Sequence, residues 1–535
     1  MSFSRKAKKI VLKSSEHIRY NSEETQEDQY LTTSLEENLR AIKNDIGEST
    51  DLVFRDFQIG IADNRAAAVI YTDGLSDSKA VHEFIMETLM LDVRMTDLDK
   101  ELKESTPLLS ILKNCAMTVG DIKEFETTQE LYNALLTGDV IFLLDQEKKG
   151  LIIGNKKWVE RGVEEPTSQT VVRGPKEGFT ENIRVNTALI RRIIKDPNLW
   201  METVKVGTRT KTSIAVLYIN GVAKDSVVKE VLARLDKINI DGILESANVE
   251  EFIQDSQISP FPTVYHTERP DAIAAGLLQG KVAIVVDGTP FVLLVPALFI
   301  QFFHSPEDHY QRPWMASMIR LLRFGAFGIT LLLPALYIAL INFHHEMIPT
   351  ELLISIAAQR ENTPFSAVIE VVIMEVAFEL LREAGLRMPR VIGSAMSIVG
   401  GFVIGTAAVE AGLISAVIVI VVSLTAIASF VSPSYNIAIA GRILRFGFIL
   451  VAANFGLYGI LLGLILFILH LCNLQSFGTP YMYPFAPFSL QGQKDTIFRM
   501  PVWAMVKRPS VYSDNSIKQK VDNSLKRKNK KGNSP

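Results

Sequence analysis

The hydrophobic pattern of this chain changes character near its middle. Charge is concentrated in the first 270 residues, where apolar residues come in short runs. Beyond them the runs lengthen, and no Asp, Glu, Lys or Arg occurs at 288–306, 324–345, 391–409, 411–441 or 446–493. A bilayer's hydrocarbon layer is about 30 Å thick and a helix rises about 1.5 Å per residue, so about 20 mainly apolar residues span it. Residues 324–343, 413–431 and 448–471 meet that length, and 391–408 is a fourth, glycine-rich candidate. The pattern predicts a large soluble front end followed by a membrane domain of four to six spans.

Within the front end the pattern repeats. "DLVFRDFQIG" (51–60) lies over "NLWMETVKVG" (198–207), and "AAVIYTDGLSDSKAVHEF" (67–84) over "IAVLYINGVAKDSVVKEV" (214–231), both at one offset of 147 residues. Ala68, Val69, Tyr71, Gly74, Val81 and Glu83 recur as Ala215, Val216, Tyr218, Gly221, Val228 and Glu230. Each copy reads as an apolar strand, a glycine turn where φ can be positive, and a helix with apolar residues three and four apart. A helical pattern also precedes each copy. The expected fold is an α/β cytoplasmic region of two related subdomains, then an all-α polytopic membrane domain and a short cytoplasmic tail. The boundaries expected are a basic flexible segment at 1–30, subdomains at 31–165 and 166–265, the membrane domain at 266–475, and a C-terminal segment with a basic disordered tail at 476–535.

Three local features bear on mechanism. In "VVDGTPFVLLVPALFIQFF" (285–303), Asp287 and Gly288 end a soluble strand, and Pro290 and Pro296 each remove a backbone donor. That pattern predicts a short broken or re-entrant segment coupling the soluble and membrane parts. In "SAVIEVVIMEVAFELLREAGLRMPR" (366–390), Glu375, Glu379 and Glu383 fall four apart on one helix face, with Glu370 off the stripe. Carboxylates at membrane depth usually face a bundle interior or water, and a ring of them favours cations. The alternative is an interfacial helix whose acidic stripe is solvated. Two G-x-x-x-G pairs, Gly401 with Gly405 and Gly459 with Gly463, permit close helix packing, within the subunit or between subunits.

Charge and composition narrow the class. The N-terminus carries basic residues but no apolar core of a secretory signal, so the soluble part is expected in the cytoplasm. Basic clusters at both ends place both termini there and require an even number of crossings. Arg382, Arg387, Arg390, Arg442 and Arg445 prefer the same side, and no simple count of the apolar runs satisfies them all. Cys115 and Cys472 sit in unlike contexts, against a disulfide framework. "GLLQGKV" (276–282) fails as a phosphate loop, since Ala275 replaces its first glycine and Val282 its Ser/Thr. His304, Glu307, Asp308 and His309, or His344, His345 and Glu346, are read as polar loops at a membrane edge rather than metal ligands. No enzymatic activity, cofactor, metal or nucleic-acid partner is expected.

Four separate motifs carry a resemblance. "VVRGPKEGFTENIRVNTALIRRIIK" (171–195), "ERPDAIAAGLLQGKVAIVVDGTPFVLLVP" (268–296), "RFGAFGITLLLPALYIAL" (323–340) and "SFGTPYMYPFAPF" (476–488) together resemble the A subunit of the GerA-type spore germinant receptors, in the family's order from about 35 to about 510. The resemblance implies an integral protein of the spore inner membrane that works with a transporter-like B subunit and a C-subunit lipoprotein. It further implies that a homo-oligomer forms a nutrient-gated ion conduit. The alternative is a scaffold or sensor subunit whose cytoplasmic lobes bind a small ligand while a partner conducts.

Overall fold

The computed structural model describes residues 30–47, 49–59, 65–81, 121–156, 165–166, 169–361, 363–387 and 405–513. The chain divides into two compact units, Met1–Trp158 with Lys195–Pro197, and Val159–Ile194 with Asn198–Pro535.

In the first unit, α1 (Leu35–Ile46) starts at Ser34, whose side chain accepts from the Glu37 amide, and stops at Gly47 with φ 65°. These are ordinary start and stop signals for a helix. Strands β1 (Leu52–Ile59) and β2 (Arg65–Thr72) are followed by β3 (Ile122–Phe125), α2 (Thr128–Leu135), β4 (Val140–Leu144) and β5 (Gly150–Ile153). The sheet order is β1-β2-β4-β5-β3, and every pairing is antiparallel. Alternate residues of β2 serve opposite faces, as the strand period requires. Ala68 and Ile70 join Ile42, Ile46 and Leu131, while Ala67, Val69 and Tyr71 join Val81 and Phe142.

The second unit repeats this plan. It contains α3 (Ile183–Ile193), β6 (Leu199–Val206), β7 (Thr212–Ile219), α4 (Asp225–Asp236), α5 (Ser246–Ile253), β8 (Tyr265–Thr267), α6 (Pro270–Gln279), β9 (Val282–Val286) and β10 (Val292–Val295). Its sheet order is β6-β7-β9-β10-β8, the same connectivity. Strands β6 and β7 begin 147 residues after β1 and β2 (199 − 52, 212 − 65), and β9 and β10 begin 142 after β4 and β5 (282 − 140, 292 − 150). Gly74 and Gly221 occupy matching turns with φ 89° and 71°.

The repeat therefore runs beyond residue 265, and the membrane boundary expected there is corrected: 265–295 completes the second sheet. The segment holding Asp287, Gly288, Pro290 and Pro296 is a β-hairpin with its end, not a broken or re-entrant segment. Gly288 takes φ 89° in the turn, and Asp287 Oδ1 accepts from the Ile183 amide at 3.1 Å. Pro290 precedes β10 and Pro296 follows it, so neither removes a donor from the ladder. Strands β9 and β10 are buried along their whole length and so read as unbroken apolar runs.

The described residues that follow include the helices α7 (Pro313–Phe343), α8 (Thr350–Arg360), α9 (Ala367–Arg387), α10 (Ala416–Phe430) and α11 (Tyr435–Asn473). Among the described residues, α7 and α11 are long and apolar enough to cross a membrane, and α10 is a shorter apolar helix. Helix α11 is two halves. At Gly456 the backbone is non-helical, with φ 58° and ψ −143°. A Cβ on Gly463 would lie 2.8 Å from the Phe448 ring. In a straight helix those residues stand about 22 Å apart, so the second half folds back along the first.

Contacts fix the direction of each pass. Gly456 meets Phe343 and His344, at the far end of α7. Glu370, early in α9, accepts from the amide of Ser415, which caps α10, while Arg382, late in α9, donates to Ser429 near the end of α10. Helices α9 and α10 thus run parallel, opposite to α7 and to the first half of α11. Arg320, Arg323, Arg382, Arg442 and Arg445 gather at one end of the bundle, the end joined to the second sheet. The reversal at Gly456, two residues after Asn454, adds a change of direction that no charged residue marks.

Candidate functional site

The join between the second sheet and the helices is built from aromatic side chains. After Pro296, a 3₁₀ turn at Phe299–Phe303 carries the chain toward α7. Phe303 stacks on Phe324 at 4.3 Å between ring centroids, and Phe299 lies 5.0 Å from Phe303 and 6.0 Å from Tyr481. Phe261 reaches Phe467 on the returning half of α11 at 5.7 Å. One apolar cluster thereby contains sheet residues Leu217, Val285 and Leu294 and bundle residues Ile437, Ala440 and Leu471.

The segment after α11 is a working part of this join rather than the short tail expected. The Ser476 hydroxyl donates to the Thr263 carbonyl at 2.7 Å and accepts from the Ala297 amide at 2.9 Å. Two of the motifs singled out in the sequence also lock together, since Arg269 donates to the Pro175 carbonyl and pairs with Asp271.

Ionic contacts fasten the first turns of α7. Asp308 takes Arg320 at 3.0 Å and Arg323 at 2.7 Å, and Arg320 also reaches Asp495 at 2.8 Å. Burial opposes ionisation of Asp308, but the Arg323 and Arg320 guanidiniums outweigh it and hold the carboxyl below its ordinary value. His304 turns Nε2 to the Thr496 carbonyl, and burial, reinforced by Arg320, pushes its pKa down to about 3. Asp308 faces arginines and His304 a carbonyl, so the histidine and acid run at 304–309 does not converge on one point. Among the described residues no group of three or more His, Cys, Asp or Glu could hold a metal ion.

A second ionic lattice lies inside the helices, and it claims the acidic stripe. Glu375 and Arg445 are both fully buried, 2.8 Å apart. Arg445 also pairs with Glu379 at 3.1 Å, Arg442 with Glu379 at 3.0 Å and Arg382 with Glu379 at 3.2 Å. Glu383 instead pairs with Arg387 at the surface. The outer face of α9 is apolar, with Ile369, Ile373, Val376 and Leu380 exposed. Glu375 and Glu379 therefore face inward between α9 and α11, unlike the solvated acids of a helix lying on a surface, while Glu383 stays at the surface. Neither carboxylate oxygen of Glu375, nor Nε or Nη1 of Arg445, makes a hydrogen bond. Ion pairs so poorly satisfied are uncommon in buried sites.

Of the glycine pairs, Gly459 and Gly463 pack against Val451 and Phe448 within α11, making the fold-back possible. Gly405 makes an ordinary contact with Val419, and Gly401 lies outside the described residues.

A cavity of about 310 Å³ lies beside the join, lined by α6, Lys281, Tyr265 of β8, Leu294 of β10, 298–310 and 483–512. Lys281 is buried in its wall, its ammonium donating to Gln301 Oε1 and lying 4.5 Å from the centre of the Tyr512 ring. Burial lowers its pKa to about 7. Sequence reasoning met Lys281 only as part of a failed phosphate loop and Asp308 only in the histidine and acid run, and it missed Arg320 and Asp495. Their partners are too distant along the chain to leave a local signal.

The sequence model of the Bacillus/Clostridium GerA spore germination protein matches residues 40–511. The chain is 48% identical over 493 residues to spore germination protein KA of Bacillus subtilis (strain 168), covering 92% of this chain and 89% of that one. It is 42% identical over 490 residues to the uncharacterized membrane protein YfkQ of the same organism, covering 92% and 93%. The crystal structure of the N-terminal domain of the A subunit of the Bacillus megaterium spore germinant receptor GerK3 aligns at 40% identity and a TM-score of 0.41, covering 51% of this chain and 99% of that one.

Proposed function

This chain belongs to the GerA family of spore germination proteins, and we propose that it serves as the A subunit of a nutrient-sensing germinant receptor whose oligomer forms a gated ion conduit in the spore inner membrane. Support for a membrane setting comes from the outward surface of the helices, where Leu450, Phe455, Leu461, Leu466 and Leu469 are exposed. An apolar surface of that extent is stable against lipid and not against water. The arginine-rich end, which carries the second α/β lobe, belongs on the cytoplasmic side.

The observation that carries the conduit reading is the buried lattice of Glu375, Glu379, Arg382, Arg442 and Arg445. Charges inside an apolar bundle are expensive and mark ion paths or moving parts. Its two carboxylates are outnumbered by three guanidiniums, an arrangement that would oppose cations, and displacement of α9 from α11 would uncover the acids. A transporter-like B subunit and a lipoprotein C subunit are the partners in this reading. The second reading, a sensor or scaffold beside a conducting partner, draws on the cavity at Lys281.

Deleting the coding sequence tests the assignment. Mutant spores should lose germination with one class of nutrient yet germinate normally with a trigger that bypasses nutrient receptors. Unchanged germination with every nutrient that wild-type spores answer would reject it.

A further inference from the structure

We propose that the cavity against Lys281 binds a small organic carboxylate with an apolar body. Three stretches far apart in sequence make most of its wall: α6 with Lys281 just after it, the 298–310 connection into α7, and residues 483–512 after α11. The last of these is anchored in place, with Arg508 Nε donating to the Leu278 carbonyl at 2.8 Å. A volume of about 310 Å³ suits a ligand at the small end of the usual range.

The charge pattern selects an anion. Lys281 is 2% exposed, and among the described residues no carboxylate lies within ion-pair distance of it. Lysine is almost never buried without a counter-charge. Its ammonium carries three donors, of which Gln301 Oε1 takes one. The acids in the wall are already answered. Asp271 is held by Arg269 at 2.9 Å and by the Tyr310 hydroxyl at 2.6 Å, and Asp495 by Arg320 at 2.8 Å. What remains is positive: Lys281 inside, with Lys494 and Lys507 exposed at the rim.

The rest of the wall selects the ligand's body. Tyr265, Leu294, Leu298, Tyr483 and Tyr512 offer apolar and aromatic surface on which inorganic phosphate would find no partners. One inner cation also matches one carboxylate rather than a dianion. A bound carboxylate would touch Gln301, in the connection into α7, and the segment that follows α11, so it would couple the second lobe to the chain's entry into the helical bundle and its exit from it. This inference goes beyond the conduit reading and does not depend on it.

The test is calorimetric titration of the full chain, purified in detergent at neutral pH, with benzoate as probe and benzamide and inorganic phosphate as controls. Benzoate should bind saturably at one site, with both controls at least tenfold weaker. Lys281→Met should weaken benzoate at least tenfold. Ala275→Trp, which fills the cavity from an exposed position of α6 and leaves Lys281 intact, should do the same and answers the question if the first variant does not fold. Equal binding of benzoate and benzamide, wild-type affinity in both variants, or no benzoate binding at 10 mM (roughly the weak limit for a small fragment) overturns the proposal. Phosphate binding tighter than benzoate also overturns it and makes the cavity an inorganic-anion site.

Discussion

Removing Arg445 should cost far more than removing Glu375, although the two form a single pair. Arg445→Met deprives Glu375 of the partner 2.8 Å away and leaves a carboxylate with no exposure. Breaking a buried pair from one side costs about 3–5 kcal/mol. The orphaned acid can also take up a proton, which at pH 7 costs a carboxyl about 4 kcal/mol, so the loss should settle near 3–4 kcal/mol. That ceiling drops by about 1.4 kcal/mol per pH unit, so the defect should shrink at lower pH. Glu375→Gln is milder, because Arg445 keeps Glu379 at 3.1 Å; a loss of about 1–2 kcal/mol is expected. The double variant should resemble Glu375→Gln alone, so the coupling equals in size the whole loss from Arg445→Met, about 3–4 kcal/mol. Thermal unfolding of the detergent-solubilised chain reads all three, with each kcal/mol moving Tm by roughly 2–4 °C in a domain of this size. Equal losses from both single variants, or strict additivity in the double, would refute the lattice described here.

Other expectations follow from single contacts. His304 is held near pKa 3 against about 6.5 unfolded, so the unfolded chain binds more protons between those values. Its contribution is present above pH 6.5 and lost as pH falls toward 3; His304→Gln should flatten the fall in Tm between pH 6.5 and 4, and an unchanged profile would discount the histidine. Gly456→Val should cost at least about 2 kcal/mol, since φ 58° with ψ −143° is open to glycine alone and a Cβ there would sit 3.0 Å from Phe343 and His344. A wild-type Tm in that variant would argue against the fold-back. Ser476→Ala leaves a buried amide and carbonyl unpaired and should cost about 1–3 kcal/mol, measured the same way; a loss under about 0.5 kcal/mol would remove Ser476 from the join.

What the sequence disclosed, and what it hid, follows from the range of the interactions. The paired strands 52–72 and 199–219 were legible because strand, glycine turn and helix alternate within 30 residues, and the same offset recurs in the structure. The apolar stretches of α7 and α11 were legible from length alone. Strands β9 and β10 were not, because burial on both faces erases the polar alternation that separates a strand from a membrane segment. The reversal at Gly456 was hidden for a similar reason: inside an apolar helix a turn needs a glycine but no charged flank, and Asn454 alone stands beside it. The acidic stripe was found and its neutralisation was not, since Arg442 lies 63 residues from Glu379. The cavity at Lys281 was invisible because its wall joins residues near 280 to residues near 510.

The proposed conduit is tested most directly by ion flux through liposomes that contain this chain and no other protein. The account predicts cation flux above that of empty liposomes, reduced severalfold by Glu379→Gln, which leaves three guanidiniums facing one carboxylate. Flux no greater than in empty liposomes, from wild type and variant alike, would contradict it and leave conduction to a partner subunit.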